Sequence, residues 1–335
     1  MALAIFLRFL LPPLSTLQRV GRLLLLAVVG GVLLAPLLQP APLLGWDWFW
    51  FFTRHNPDYN IDTARSLYPP FTVWVTDTLA WLNWRTGLGV LYGLTLITVA
   101  LGTWRSGGRW VSMTLALSTP PVWFLMWVGQ VDGLAMLGVV AGLLPLALIK
   151  PHNTVWLMFS TPRQFIWAVI ILGLTILIWP EWVGRMWTAA RGANVASSET
   201  ASFGWAALGW PILALGLGML AGAGSDKYRL LAAGCFISPY VMPYTLTFLL
   251  PTLGRAHGWR KWMLWLAAWL VFLGTGLAGE WRAINLLLPL LAYGLGLSPQ
   301  AYLNNLRTNL VWWVDFGREI SMISRRRSTG HSLHI

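Results

Sequence analysis

The chain has 335 residues, of which 57% are hydrophobic and 10% charged, and its formal net charge at pH 7 is +12. Soluble proteins carry about 25% charged residues, so this composition excludes an ordinary soluble domain. Apolar runs of about 18 residues or more are typical of membrane-spanning helices. We therefore predict an all-α integral membrane protein, a polytopic bundle of about ten to eleven transmembrane helices.

The positive charge would suggest a nucleic-acid partner in a soluble chain. Here the basic residues flank apolar segments, where they set the topology and contact anionic lipid headgroups. We therefore expect membrane lipids, and no nucleic acid, as partners.

The sequence divides into a multi-spanning domain, residues 1–299, and a tail, residues 300–335. The tail has apolar residues at helical spacing and then Arg325-Arg326-Arg327, which is typical of an amphipathic helix at a membrane surface. Arg22 precedes the first apolar run, so the positive-inside rule predicts a cytoplasmic N-terminus. The expected location is the cell membrane, with both termini in the cytoplasm and a first outer loop over residues 45–70.

The number of membrane crossings over residues 71–103 is in conflict with the charges. These residues hold two apolar runs. Placing the basic turn that follows on the cytoplasmic side, with the first loop outside, requires an odd number of crossings. One solution has Phe71–Trp84 lying at the outer surface. The same difficulty arises over residues 230–250, which form one span or two short ones hinged at Pro239 and Pro243. We adopt the surface segment and the two short passes, because together they put the basic loops on one side.

The first outer loop holds three of the eleven carboxylates in the chain, with cationic or titratable residues among them. These residues are Asp47, Asp58 and Asp62, and Arg54, His55 and Arg65. Asp47 is flanked by Trp46 and Trp48, so we expect it to be partly desolvated, which raises the pKa of a carboxyl group. A carboxylate of this kind suits a general base or a metal ligand. The alternative is a helix-capping aspartate in a short juxtamembrane helix.

The other polar residues of this loop have two interpretations each. Asp58 and Asp62 are four residues apart and would share a helix face, where they could hold a divalent cation. Asp58 also follows Pro57, so it could instead be an N-cap. The cationic residues Arg54, His55 and Arg65 suit either a phosphate group or lipid headgroups. The sequence has no paired His/Glu spacing typical of a metal centre, so a divalent cation is the one cofactor considered.

Two polar motifs lie farther along the chain. Gln130 and Asp132 flank the end of an apolar segment, a pattern typical of an interfacial boundary. Lys150-Pro151-His152 is typical of a cytoplasmic anchor under the positive-inside rule.

Several short motifs follow one another in a characteristic order. They are Asp47 after a first membrane helix, Tyr68-Pro69-Pro70, Pro120-Pro121, Gly129-Gln130, Gly142, Lys150-Pro151, Ser238-Pro239, Tyr244 and Leu249-Leu250-Pro251. Over about residues 20–297 this succession resembles glycosyltransferase family 87. That family comprises polyprenyl-phosphate-mannose-dependent mannosyltransferase-like membrane proteins of the C-type glycosyltransferase superfold.

The resemblance implies an inverting glycosyltransferase whose first outer loop supplies a catalytic aspartate, here Asp47. It implies substrate contacts at Tyr68, Gln130, Lys150 and Tyr244. The remaining loop residues, Arg54, His55, Asp58, Asp62 and Arg65, join the expected substrate site, and Arg54 and Arg65 are the nearest cations for the departing phosphate. The family usually has more chain between Gly-Gln and Lys-Pro. Here about one helix separates the two motifs, which predicts Gln130 and Lys150 on opposite faces.

The function expected from this resemblance is transfer of a sugar, mannose or a similar hexose, from a polyprenyl-phosphate donor to a lipid or glycan acceptor on the outer face. The alternative is a non-catalytic membrane subunit or relative that binds lipid-linked glycan. A transporter ranks third, because transporters place ionisable groups in mid-membrane, whereas the acids here lie mostly at the ends of apolar segments. The sequence identifies no protein partner.

Overall fold

The computed structural model describes residues 14–38, 44–45, 47–48, 68–184, 187–188, 202–276 and 279–295. Every regular element in these ranges is helical, so the all-α class is confirmed there. Predictions for the amphipathic tail, residues 300–335, lie outside the described residues. The same holds for the loop residues Arg54, His55, Asp58, Asp62 and Arg65.

The helices lie in the following order along the chain. They are α1 (Leu14–Leu34), α2 (Pro70–Ala80), α3 (Trp84–Arg105), α4 (Trp110–Leu117), α5 (Pro120–Val128), α6 (Asp132–Ala141), α7 (Leu144–Ala147), α8 (Pro151–Thr154), α9 (Pro162–Ile178), α10 (Trp205–Leu208), α11 (Trp210–Gly222), α12 (Lys227–Ile237), α13 (Thr252–Arg255), α14 (Trp259–Gly276) and α15 (Leu287–Gly294). The described ranges also contain the 3-10 segments Ala35–Leu37, Val155–Ser160, Pro243–Leu249 and Gly279–Leu286.

Two of the described helices are long and apolar enough to cross a membrane, α1 from Ser15 onward and α3. Helices α4 and α5 would form a third span if the pair, bent by 50°, crosses as one unit. Helices α6, α9 and α11 are apolar but shorter. The structure therefore contains two or three helices that could span a membrane, and the larger number of crossings stays a prediction.

Helix α3 sets the length of the bundle. Its 22 residues extend about 33 Å at 1.5 Å per residue, close to the thickness of a bilayer core. Helix α1 packs antiparallel to it, with Gly31 against Gly89 and Ala27 against Gly93. A Cβ atom on Gly89 would lie 2.5 Å from the carbonyl oxygen of Gly31. Small residues therefore let these two backbones approach closely, as in membrane helix pairs.

Helices α6 and α7 form a hairpin. Gly142 ends α6 with a left-handed backbone, φ 71°, and the chain then runs back along α6. Gly138 and Ala147 lie so close that a Cβ atom on Gly138 would be 2.2 Å from the backbone nitrogen of Ala147. Lys150 therefore returns to the level of the start of α6. The prediction that Gln130 and Lys150 lie on opposite faces is wrong, because the segment between them reverses direction at Gly142.

The chain also reverses between α12 and α13. Helix α12 ends at Ile237, and the 3-10 segment Pro243–Leu249 runs back to α13. Asp226 and Arg255, at the two ends of this region, form an ion pair. Residues 230–250 therefore do not form one continuous helix, because Pro239 and Pro243 lack the N–H groups that such a helix would need. The two membrane passes predicted here stay a prediction.

Two glycines with the same backbone conformation provide a test of this packing. Gly129 (φ 76°) ends α5 and Gly142 (φ 71°) ends α6. A Cβ atom on Gly129 would lie 2.7 Å from the Cα atom of Gly45 and 2.9 Å from the Cβ atom of Trp48, whereas one on Gly142 would meet nothing within 4 Å.

We predict that Gly142→Ala lowers the free energy of unfolding by about 1–2 kcal/mol, the cost of a left-handed alanine. Gly129→Ala should cost about 1–3 kcal/mol more, because it also displaces the segment that carries Asp47. Unfolding of the two variants in mixed detergent would measure the difference. Equal losses would contradict the close approach of Gly129 to Gly45 and Trp48.

Candidate functional site

The segment that carries Asp47 is attached to two helices. The backbone N–H of Gly45 donates a hydrogen bond of 2.7 Å to the carbonyl oxygen of Trp127, at the end of α5. The indole N–H of Trp48, which is fully buried, donates one of 2.9 Å to the carbonyl oxygen of Trp84, at the start of α3. Asp47 lies between these two attachments, half-buried.

A short hydrogen-bonded chain fixes the Asp47 carboxylate. The Gln130 amide nitrogen donates to the carboxylate of Asp47. The hydroxyl of Tyr68 donates a hydrogen bond of 2.6 Å to the Gln130 amide oxygen. Gly129 turns the chain at the end of α5 and so presents Gln130 to Asp47. The amide therefore holds one carboxylate oxygen in a defined place.

The pKa of Asp47 is raised from 3.8 to about 6. Asp47 lies between α1 and α2, outside the candidate spans, and its burial is the main cause. The charge on Asp132 raises the pKa further, while the Gln130 hydrogen bond and the charge on Lys150 lower it. A carboxylate with this pKa is ionised at neutral pH and is a stronger base than an ordinary aspartate.

An ion pair lies beside Asp47. The ammonium nitrogen of Lys150 is 2.5 Å from Oδ2 of Asp132, and the two side chains are 2% and 0% exposed. The same nitrogen lies 4.4 Å from the ring centroid of Tyr244. The interpretations of Lys150 as a cytoplasmic anchor and of Asp132 as an interfacial residue are wrong, because the α6–α7 hairpin buries both side chains against each other.

These residues face a cavity of about 830 Å³. Asp47, Tyr68, Gln130, Lys150 and Tyr244, the predicted site residues that the structure describes, all line it. The remaining wall is largely apolar and comes from α5, α9, α14 and the segments beside them, with Phe124, Trp127, Leu172, Ile176, Trp182 and Thr275 among its residues. A polar end and an apolar wall suit a ligand that has both characters.

Two further polar residues, His152 and Tyr240, line this cavity, with ring centroids 6.4 Å apart. His152 was predicted only as part of the cytoplasmic anchor Lys150-Pro151-His152, an interpretation that its place in the cavity wall contradicts. Tyr240 was not predicted, and it directly follows the Ser238-Pro239 motif. The Ser238 hydroxyl donates to the carbonyl oxygen of His152, which ties the two segments together. Position within or beside these motifs was the available signal.

In the part of the chain that the structure describes, no group of three or more His, Cys, Asp or Glu side chains could hold a metal ion. The predicted cation pair, Asp58 and Asp62, lies outside that part. Comparison of the chain with protein-family models, characterised proteins and solved structures gives no match. The site combines a carboxylate held by a hydrogen bond, a buried lysine and an apolar wall.

We predict that Gln130→Leu raises the pKa of Asp47 above about 6, because the variant removes a hydrogen bond that favours the charged carboxylate. Labelling of the protonated carboxyl group with a hydrophobic carbodiimide, followed across pH by mass spectrometry, would measure the midpoint. Gln164→Leu is the matched control, since the Gln164 side chain bonds to Gly142 and Leu144 instead. An unchanged midpoint in Gln130→Leu would contradict the assigned contact.

Proposed function

We propose that this protein is an integral membrane glycosyltransferase. It transfers a sugar, mannose or a similar hexose, from a polyprenyl-phosphate donor to a hydroxyl group of a lipid or glycan acceptor, with inversion at the anomeric carbon. The observation that carries this proposal is Asp47, a carboxylate with a raised pKa held by Gln130 at the wall of a cavity that also contains a buried ammonium group.

The surface of the bundle supports a membrane location. Leu33 of α1 is 71% exposed and Leu177 of α9 is 77% exposed, and both helices present several further large apolar side chains. In lipid such side chains need no other partner. Helices interrupted by proline, as at the α4–α5 bend, are tolerated in membranes where neighbouring helices satisfy the freed backbone groups. We therefore retain the polytopic bundle of about ten to eleven crossings as part of the proposal.

The charge at the other end of the bundle supports an orientation. Arg105, at the end of α3, donates to the carbonyl oxygen of Val140 at 3.1 Å, and Lys227 donates to that of Val139 at 3.2 Å. Arg255 pairs with Asp226 at the same end. Exposed tryptophans accompany these cations: Trp104, Trp110 and Trp259. Exposed tryptophans are typical of a membrane interface on either side, whereas basic residues favour the cytoplasmic side, and the length of α3 separates them from the Asp47 end. The proposed site is therefore on the outer face.

The cavity wall supports a lipid-linked substrate. Trp127 is 55% exposed, and Ile176 on α9 is also exposed, although both line the cavity. A wall whose side chains reach the outer surface of the bundle suits entry of an isoprenoid chain from the bilayer. The polar end would then receive the sugar and phosphate.

In the proposed reaction Asp47 accepts the proton of the acceptor hydroxyl. The acceptor oxygen attacks the anomeric carbon, the bond from that carbon to the phosphate oxygen breaks, and its electron pair stays on the phosphate. Gln130 keeps the carboxylate oriented toward the acceptor, and Tyr68 in turn holds Gln130. General-base catalysis of this kind contributes about 10²–10⁴-fold to a rate.

We predict that Asp47→Asn lowers the rate of sugar transfer from a polyprenyl-phosphate mannose donor at least about 100-fold. In the unsubstituted protein the rate should rise with pH up to about pH 6, where Asp47 loses its proton, and then level off. Reconstitution in nanodiscs with a radiolabelled donor and a panel of lipid and glycan acceptors would measure both.

The matched control is Asp226→Asn, which removes a carboxylate from the opposite end of the bundle. It should keep the transfer rate within about twofold, because a charge that far away is largely screened. Transfer that is unaffected by Asp47→Asn would rule out Asp47 as the base, and absence of transfer with every acceptor in the unsubstituted protein would rule out the proposed activity.

A further inference from the structure

Lys150 has hydrogen-bonding capacity that the protein does not use. Its ammonium group has three N–H donors and donates one hydrogen bond, to Asp132. Within the described ranges no other acceptor contacts it, and the ring of Tyr244 covers one side. The side chain is almost fully buried yet lines the cavity. Buried donors without acceptors are costly, so a group that enters the cavity would meet a cation with donors to spare.

Asp132 contacts the same ammonium from behind. Its side chain is fully buried and is not part of the cavity wall, and its Oδ1 atom has no hydrogen-bond partner among the described residues. The pair is therefore incompletely satisfied on both sides. An ion pair that served only for stability would be expected to have its remaining donors and acceptors filled.

We propose that Lys150 is the oxyanion-binding residue of the cavity, that its ligand is a phosphate group, and that Asp132 is a positioning residue that holds the ammonium at the wall. The identification of this phosphate as that of a polyprenyl-phosphate sugar rests on the proposed function. Arg54 and Arg65, the cations expected from the sequence, lie outside the described residues, whereas Lys150 shares a cavity with Asp47.

The reaction needs a cation at this position. In the donor the phosphate is a diester with one negative charge. When the bond to the anomeric carbon breaks, the phosphate oxygen keeps the electron pair, and polyprenyl phosphate leaves as a monoester with one further negative charge. Lys150 can donate its two remaining N–H groups to that oxygen and its neighbours, and in a largely apolar cavity such contacts act more strongly than in water.

Asp132 stabilises the ammonium group of Lys150 when no phosphate is bound. An isolated ammonium in this environment would be destabilised and would lose its proton. The single contact with Oδ2 favours the charged form of Lys150 while leaving donors free, so the cavity is prepared for an anion before one arrives. Removing Asp132 should therefore weaken phosphate binding although Asp132 never contacts the ligand.

The test uses the full chain in nanodiscs and two probes, a polyprenyl phosphate and the corresponding polyprenol, with affinity measured by tryptophan fluorescence. We expect the unsubstituted protein to bind the phosphate at least tenfold more tightly than the alcohol. Lys150→Gln should remove that preference and leave affinity for the alcohol unchanged, and Lys150→Arg should restore part of it. Lys227→Gln, which changes a lysine at the opposite end, should keep the full preference.

Two further variants distinguish loss of the phosphate contact from misfolding. Asp132→Asn should reduce the phosphate preference, and the double variant Asp132→Asn/Lys150→Gln should lack it while leaving no unpaired buried charge. Competition by inorganic phosphate separates the two sources of the ligand chemistry: weak or no competition is expected for a lipid phosphate, and competition as strong as that of the lipid would overturn the lipid assignment.

The outcomes for the site and for the reaction are distinguishable. Asp47→Asn should lower the rate of transfer at least about 100-fold and keep the phosphate preference. A full phosphate preference in Lys150→Gln, or in the double variant, would overturn the assignment of Lys150 even if sugar transfer is present. A Lys150-dependent preference in a protein that transfers no sugar would uphold the phosphate site and refute the proposed activity.

Discussion

The site depends on one constraint: three ionisable side chains are wholly or partly buried in a mostly apolar bundle, and each needs a polar partner within it. Lys150 pairs with Asp132, and Asp47 is held by Gln130. Burial raises the pKa of Asp47 to about 6, and the neighbouring ammonium limits that rise. The same desolvation that makes these groups expensive also makes them chemically useful, because it strengthens every interaction with a ligand that enters the cavity.

Glycine turns are what bring these side chains together. Gly129 ends α5 where Gln130 can contact Asp47, and Gly142 ends α6 so that the chain returns Lys150 to the same level. A longer helix in place of α6 would carry Lys150 to the opposite end of the bundle. Gln130 and Lys150 therefore line the same cavity. The left-handed backbones of Gly129 and Gly142 cost little free energy, because glycine has no Cβ atom.

The sequence predicted the all-α class and selected Asp47 because of its aromatic neighbours and the order of the motifs. It also selected Tyr68, Gln130, Lys150 and Tyr244, which the structure brings to one cavity. It missed the pairing of Lys150 with Asp132, because hydropathy treats residues 133–149 as one apolar run and carries no sign that Gly142 reverses it. Local composition indicates whether a segment is buried. The contact between Lys150 and Asp132, which are 18 positions apart, depends instead on the backbone conformation of Gly142.

The most direct test of the account is an experimental structure of the protein with a polyprenyl-phosphate sugar bound in a lipid nanodisc, using Asp47→Asn to prevent turnover. We expect the phosphate oxygens to lie within hydrogen-bond distance of Lys150 and residue 47 to face the anomeric carbon from the side opposite the phosphate. A donor bound with its phosphate away from Lys150, or with residue 47 on the same side as the leaving group, would contradict the account.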